Sequence, residues 1–493
     1  MSIQFNHLKQ VLNQQHRQNI VGIPKIIRRT IYLLGLSAIF INPVVASEVQ
    51  FPQISSTTAE SYIAQTTAED FLRRGVQKIE IGNLRGAIED FNQAITIDPN
   101  SAPAYNHRGA AFLKQGEIQK AFADFEHALE LDPNLALAYN NRGLLHLKRG
   151  NLQGAIADFN QAIQLDPNSA IAYNNRGLVR LRQGNFPGAI ADFNQALKID
   201  PNYAQAYDNL GLVHWQQGDI QGAIANFNQA LKIEPNYSSA YNHLGAVDFQ
   251  QGDIQDAIAE FNQAIKIDPN NAQAHYNRAV AYLLQGNIQK SIADFTQAIE
   301  LNPNYTEAYN NRGLLYREQG RLEKALADFS KAIEIEPNLA IAYSNRGTIY
   351  LKLIEIQNAI SDFTQAIELN PNYAMAYNNR GFAYLQRGEM QKAFADLNQA
   401  IEINPYLALA YSNRGHAHRK TGDIESAIAD YTQVIEIIPN NAAAYYQRGT
   451  ALVQLGNEEE AIADFQKAAD LFRQQGQMTF SQNALDQIQE LQQ

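Results

Sequence analysis

The chain has 493 residues, with 39 Lys and Arg against 50 Asp and Glu, a formal net charge of −11, and 45% hydrophobic residues. That apolar content excludes an intrinsically disordered chain, and the negative balance argues against a large face for nucleic acid or anionic lipid, since both need clustered cations. Cysteine is absent, which removes disulfides, zinc–thiolate sites, iron–sulfur clusters and thiol nucleophiles together.

Residues 1–46 carry Lys9, Arg17, Lys25, Arg28 and Arg29 and no acidic residue, and turn apolar from Ile31 to Ile41. Val44-Val45-Ala46 supplies small or β-branched residues where a signal peptidase reads, which predicts cleavage before Ser47 and export of the remainder. An uncleaved membrane anchor is the alternative. The apolar run is short for a bilayer core of about 30 Å, and reaches further only through Asn42 and Pro43. Residues 47–67 are rich in Ser, Thr and Gln and read as a linker.

From residue 68 onward a single period governs the chain. Proline recurs at 99, 133, 167, 201, 235, 269, 303, 337, 371, 405 and 439, each 34 residues after the last, and divides residues 68–475 into twelve units. A unit of this length cannot bury its apolar faces alone and must lean on its neighbours. Within the unit at 170–203, Tyr173, Gly177 and Arg180 occupy the fourth, eighth and eleventh positions, one stripe of a first helix. Gly184 at the fifteenth position turns the chain. A second helix comes next, with Ala189, Phe193 and Ala196 as its buried stripe, and stops before Asp200-Pro201. After Gly476, a final helix over about 480–491, with Phe480, Ala484, Ile488 and Leu491 on one face, is expected to cap the array within residues 476–493.

The set of an aromatic at position four, Gly at eight, Ala at twenty, an aromatic at twenty-four, Ala at twenty-seven and Pro at thirty-two resembles the tetratricopeptide repeat. The resemblance implies an all-α, right-handed superhelical solenoid of antiparallel helix pairs. Its first helices would line a concave groove that binds proteins or peptides.

Position seven is arginine in ten of the twelve units, and position twenty-three is aspartate in the same ten. In the other two both change together, Leu210 with Asn226 and Leu244 with Glu260. In helices folded back about position fifteen or sixteen these positions face each other. Ion pairs Arg312–Asp328, Arg346–Asp362 and Arg380–Asp396, with their equivalents, are therefore expected inside each hairpin, because a buried arginine needs a partner.

A second stripe of the first helix, positions two, six, nine and thirteen, is expected to face away from the packed side. Its sixth position holds Asn141, Asn175, Asn209, Asn277, Asn311, Asn345, Asn379 and Asn413. Asparagine is a mediocre helix former, so the row calls for a reason. One reading is a ladder that hydrogen-bonds an extended partner segment; it resembles the asparagine ladder in O-linked N-acetylglucosamine transferases. The other is that these amides only solubilise the groove or persist from recent duplication. Trp215, the lone tryptophan, is a candidate groove anchor, although leucines hold the same position in other units, which is the packing alternative. The Lys and Asn arrangement with which similar repeat proteins hold chaperone tails is missing: position five is most often Asn, nine mostly apolar, and two never Lys.

No catalytic constellation, metal-ligand spacing or phosphate loop emerges, and the repeated carboxylates have arginine partners. The expectation is a non-enzymatic protein–protein interaction scaffold with no cofactor, metal, nucleic acid or small-molecule substrate, exported to the periplasm or beyond. A membrane-tethered assembly factor, or a regulatory subunit of an enzyme carried on another chain, is the alternative.

Overall fold

The computed structural model describes residues 67–492. The expected export segment at 1–46 and all but Thr67 of the linker lie outside the described residues. Among the described residues every regular element is a helix, 25 in all, from Ala68–Glu80 to Met478–Leu491. None of them is long and apolar enough to cross a membrane. The helices fall into two units. The first runs from the helix Ala68–Glu80 to the helix Ala272–Leu284, and the second from Ile288–Leu301 to Met478–Leu491. Each is an all-α stack of antiparallel helix hairpins.

The hairpin of Ala170–Arg182 and Phe186–Ile199 shows how the sequence builds the element. Gly184 enters the left-handed region at φ 74°, and the Asn185 N–H then donates to the Arg180 carbonyl at 2.9 Å, closing the first helix. The Asn185 side chain accepts from the Gly188 N–H at 3.1 Å and caps the second helix. At the far end, Asp200 accepts from the Asn202 N–H at 2.9 Å in the turn around Pro201. Phe193 is fully buried beside Gly177, where a Cβ would stand 2.6 Å from the ring. The eighth residue is glycine because the aromatic ring of the second helix occupies the space a side chain would need.

At the ninth hairpin the turn keeps its geometry without its glycine. Ile354 takes φ 63°, its N–H donates to Leu351 at 3.2 Å, and Glu355 donates to Tyr350 at 2.8 Å. A β-branched residue is strained in that region, and Ile354 is 82% exposed.

Two expectations about packed faces need correction. The first-helix stripe at positions four, eight and eleven is not the most deeply buried: Tyr173 and Arg180 are half-buried, whereas Ala172, Leu178, Val179 and Leu181 are almost wholly enclosed. The cause is packing on several sides, since this helix touches its own second helix, the preceding second helix and both neighbouring first helices. The final helix begins at Met478, and Phe480 is 56% exposed. The rest of the expected face packs: Ala484, Ile488 and Leu491, joined by Ser481 and Leu485, lie against Phe472, Ala468 and Leu452, and Phe480 itself stacks on Phe472 with ring centres 5.5 Å apart. The preceding helix, Glu458–Gln474, runs longer than the other second helices, because Arg473 stands where they meet a proline.

Candidate functional site

The candidate surface is the layer of first helices. The structure moves the asparagine row off the solvent face of that layer. Asn141, Asn175, Asn209, Asn277, Asn311 and Asn345 are between 0% and 4% exposed, and Asn379 and Asn413 are half-buried. The amide of Asn141 donates to Asn106 Oδ1 at 3.0 Å, and Asn175 to Asn140 and Asn209 to Asn174 at 2.9 Å each. Asn277 to Asn242, Asn345 to Asn310 and Asn413 to Asn378 repeat the contact at 2.9 Å. Each joins position six of one hairpin to position five of the hairpin before it. The expectation that these residues face open space is therefore corrected. Asn141, Asn175, Asn209, Asn277, Asn345 and Asn413 are rungs between neighbouring first helices, where burial drives an amide to find a partner.

Sequence reasoning missed the rung, although a signal existed. Position five is also asparagine in six of the twelve units, and a rung built from other residues changed on both sides: Asp208 Oδ1 stands 2.8 Å from His243 Nδ1. The Tyr237 hydroxyl, 3.5 Å from Asp208, is held well above its ordinary pKa by burial and then by that carboxylate. Asn379 makes no such rung; Ser344 stands at position five before it, and Asn379 accepts from its own neighbour Asn378 at 3.0 Å.

The arginine of position seven is a three-way clamp. Arg346 Nε and Nη2 donate to the two oxygens of Asp362 at 2.8 Å each, Nη1 reaches Ser330 of the preceding hairpin at 3.3 Å, and the guanidinium lies 5.7 Å from the Tyr343 ring centre. Arg312 grips Asp328 at 2.9 and 2.8 Å and Thr296 at 3.0 Å. Arg380 grips Asp396 at 2.7 and 2.8 Å and Thr364 at 3.1 Å. The forked guanidinium serves both oxygens of a carboxylate and still has a donor for the preceding hairpin, which a lysine's point charge does not match. For Arg346 and Arg414 the hydrogen bond to aspartate, against the opposing cost of burial, raises the pKa.

Hairpin six departs from this pattern. Leu244 takes the arginine's place opposite Glu260, and Asp248 replaces the Lys, Arg, His or aromatic residue found at position eleven in most hairpins. Burial, then the charges of Asp256 and Asp253, push Asp248 up to about 6, and Glu260 is raised by burial and by Asp248.

Trp215 is 5% exposed and belongs to a core cluster with Leu178, Leu181, Val213, Val247 and Phe249. Its indole Nε1 donates to Gln250 of the next hairpin. The groove-anchor expectation is thus corrected to packing: the ring fills the contact between adjacent first helices. At the same twelfth position of the eighth unit, Arg317 is 6% exposed and paired with its neighbour Glu318 at 3.0 Å.

Of the stripe at positions two, six, nine and thirteen, the middle is enclosed and the two ends remain accessible. Leu144 and Leu178 at position nine are buried, whereas Leu137 and Ile171 at position two are partly exposed and Lys148 and Arg182 at position thirteen are exposed. In the second unit, Ile341 and Met375 at position two are partly exposed and Leu409 is 49% exposed. Among the described residues no group of His, Asp or Glu is arranged to hold a metal ion.

Stacked hairpins with a glycine turn, a proline exit and an aromatic-on-glycine contact define a helical repeat protein of the solenoid class. Family models described as TPR repeat match residues 77–116, 216–248, 245–286, 313–353 and 415–456. Others described as tetratricopeptide repeat match 140–204, then 102–135, 272–305, 340–373 and 374–407, then 295–327 and 442–475. The chain belongs to the tetratricopeptide repeat family, whose fold serves as a protein–protein interaction scaffold.

Among solved structures, a chain of the APC/C hetero-tetramer Cut9-Hcn1 is similar at 15% identity, over 86% of this chain and 94% of that one, with a TM-score of 0.44. A tetratricopeptide repeat protein from Parabacteroides merdae is similar at 20% identity, over 51% of this chain and 99% of that one, also with a TM-score of 0.44. No curated protein matches the sequence.

Proposed function

We propose that the chain is a non-enzymatic scaffold outside the cytoplasm that captures segments of partner proteins along its layer of first helices. The observation that carries the reading is the way polar groups are spent in that layer. The asparagine rungs and arginine clamps are turned inward, amide against amide and guanidinium against carboxylate, while position two, at one accessible end of the stripe, keeps apolar residues such as Ile171, Met375 and Leu409. Partly exposed apolar side chains repeated along a rigid stack suit an extended or helical segment that touches several hairpins, each contact weak and the sum useful. Export rests on the cationic and apolar pattern of residues 1–46.

A photo-crosslinking residue at Ile171 or Met375 in the full chain, expressed in its native host, tests the capture. Discrete adducts are expected there and not from Gln93, exposed on a second helix. Adducts equally frequent from Gln93 would refute capture by this layer. Intact mass of the mature protein tests export, with a start at Ser47 expected.

A further inference from the structure

Position thirteen of the first helix carries a run of cations in the first unit. Lys114, Lys148 and Arg182 occupy it in successive hairpins, all exposed. The run is bounded by Glu80 on one side and by Gln216 and Gln250 on the other. Arg182 reaches back over the preceding first helix, where its Nη1 donates to the Leu147 carbonyl at 3.3 Å, next to Lys148. Neither Lys148 nor Arg182 forms an ion pair among the described residues.

The contrast with the other arginines is informative. Arg108, Arg142, Arg346, Arg414 and Arg448 are raised chiefly by their hydrogen bond to an aspartate. Arg182 is lowered by partial burial, with no carboxylate to offset it. A chain with 50 acidic residues could have placed one opposite, and does so at nearly every position seven.

We infer that Lys114, Lys148 and Arg182 form a short cationic strip that receives an acidic, extended segment of a partner protein running across hairpins two to four. The inference rests on the capture reading and names the chemistry of one partner. Adjacent first helices touch, which sets their axes about 10 Å apart. An extended chain advances about 3.3 Å per residue, so carboxylates at about every third residue meet successive cations. A strip of three cations on a chain of net charge −11 is too short for a nucleic acid, whose longer phosphate run would meet Glu80 at one end and the uncharged Gln216 and Gln250 at the other.

The test uses the full chain and fluorescence anisotropy at an ionic strength of about 50 mM, where exposed charges are weakly screened. The probe is a labelled peptide of repeated Asp-Ser-Leu. The controls are its Asn-Ser-Leu counterpart and a single-stranded oligonucleotide of equal charge. The acidic peptide is expected to bind about tenfold more tightly than its amide counterpart, and Lys148→Gln with Arg182→Gln is expected to remove that advantage. Lys148→Gln alone, at an exposed position, is expected to remove part of it without affecting folding. Lys352→Gln with Lys420→Gln makes the same charge change at position thirteen of the second unit and should leave binding unchanged.

Equal binding of the acidic and amide peptides, equal loss from the second-unit pair, or tighter binding of the oligonucleotide would each overturn the inference. Absence of any peptide binding would do so too. The scaffold reading is judged separately, by crosslinking at Ile171 and Met375, which does not depend on charge.

Discussion

The clamp of Arg346 and Asp362 makes a quantitative statement about what holds one hairpin together. Asp362 has 7% of its side chain exposed and Arg346 has 20%. Replacing Arg346 with Leu leaves an almost enclosed carboxylate with two lost donors and Ser330 without its bond across the hairpin boundary. Loss of one partner of a buried pair costs about 3–5 kcal/mol, and the partial exposure of the arginine places this case near 3 kcal/mol. Asp362→Asn keeps one acceptor and leaves a guanidinium with some access to water, for about 2 kcal/mol. Leu with Asn is the combination the fifth hairpin uses at Leu210 and Asn226, where Asn226 donates to the Gly222 carbonyl at 2.8 Å within its own helix. The double variant therefore leaves no charge stranded, and a coupling above about 2 kcal/mol, up to about 3 kcal/mol, is expected between the two substitutions. Urea unfolding of the four proteins, read with hydrogen exchange of amides in residues 340–369, gives the cycle. The double variant should be more stable than at least one single variant. Strictly additive losses would refute the idea that the two residues act as a pair, and would leave the covariation of positions seven and twenty-three without a physical cause.

Other outcomes rest on single residues. Ile354→Gly should stabilise the ninth hairpin by about 1 kcal/mol, because it relieves a β-branched residue at φ 63°; an unchanged or lower melting temperature would contradict the strain. His107 is buried and stacked on Phe91 at 5.7 Å, and burial lowers its pKa to about 4. The unfolded chain takes up that proton near pH 6.5 and the folded chain only near 4, so stability from this group is lost as pH falls between them, by about 3 kcal/mol at the bottom of the window. His107→Asn, the residue most hairpins carry there, should flatten that part of the stability–pH curve, and an unaltered slope would count against the buried neutral imidazole. Asn345→Ala leaves Asn310 Oδ1 without its donor and should cost about 1–3 kcal/mol while crosslinking at Met375 persists. Loss of crosslinking with stability intact would return the asparagine row to a partner-facing role.

The local elements were legible because their causes are local. A glycine that alone enters left-handed backbone without strain, a proline that cannot continue a helix and an amide that caps the next one act within a few residues, so helix bounds and the hairpin can be read from one 34-residue unit. The arginine and aspartate were legible at one remove, since they lie in a single hairpin and change together. The faces of the first helix were not, because its surroundings come from other hairpins. Periodicity says that positions two, six, nine and thirteen share a face, yet it does not say what is laid against that face. Stacking one first helix on the next encloses the middle of the stripe and leaves its ends open, which turns Asn141 and Asn345 into rungs, Trp215 into core, and Lys148 and Arg182 into surface. The rung itself joins residues 35 apart in the chain, a relation that exists only once two hairpins are in contact and each buried amide has to find a partner.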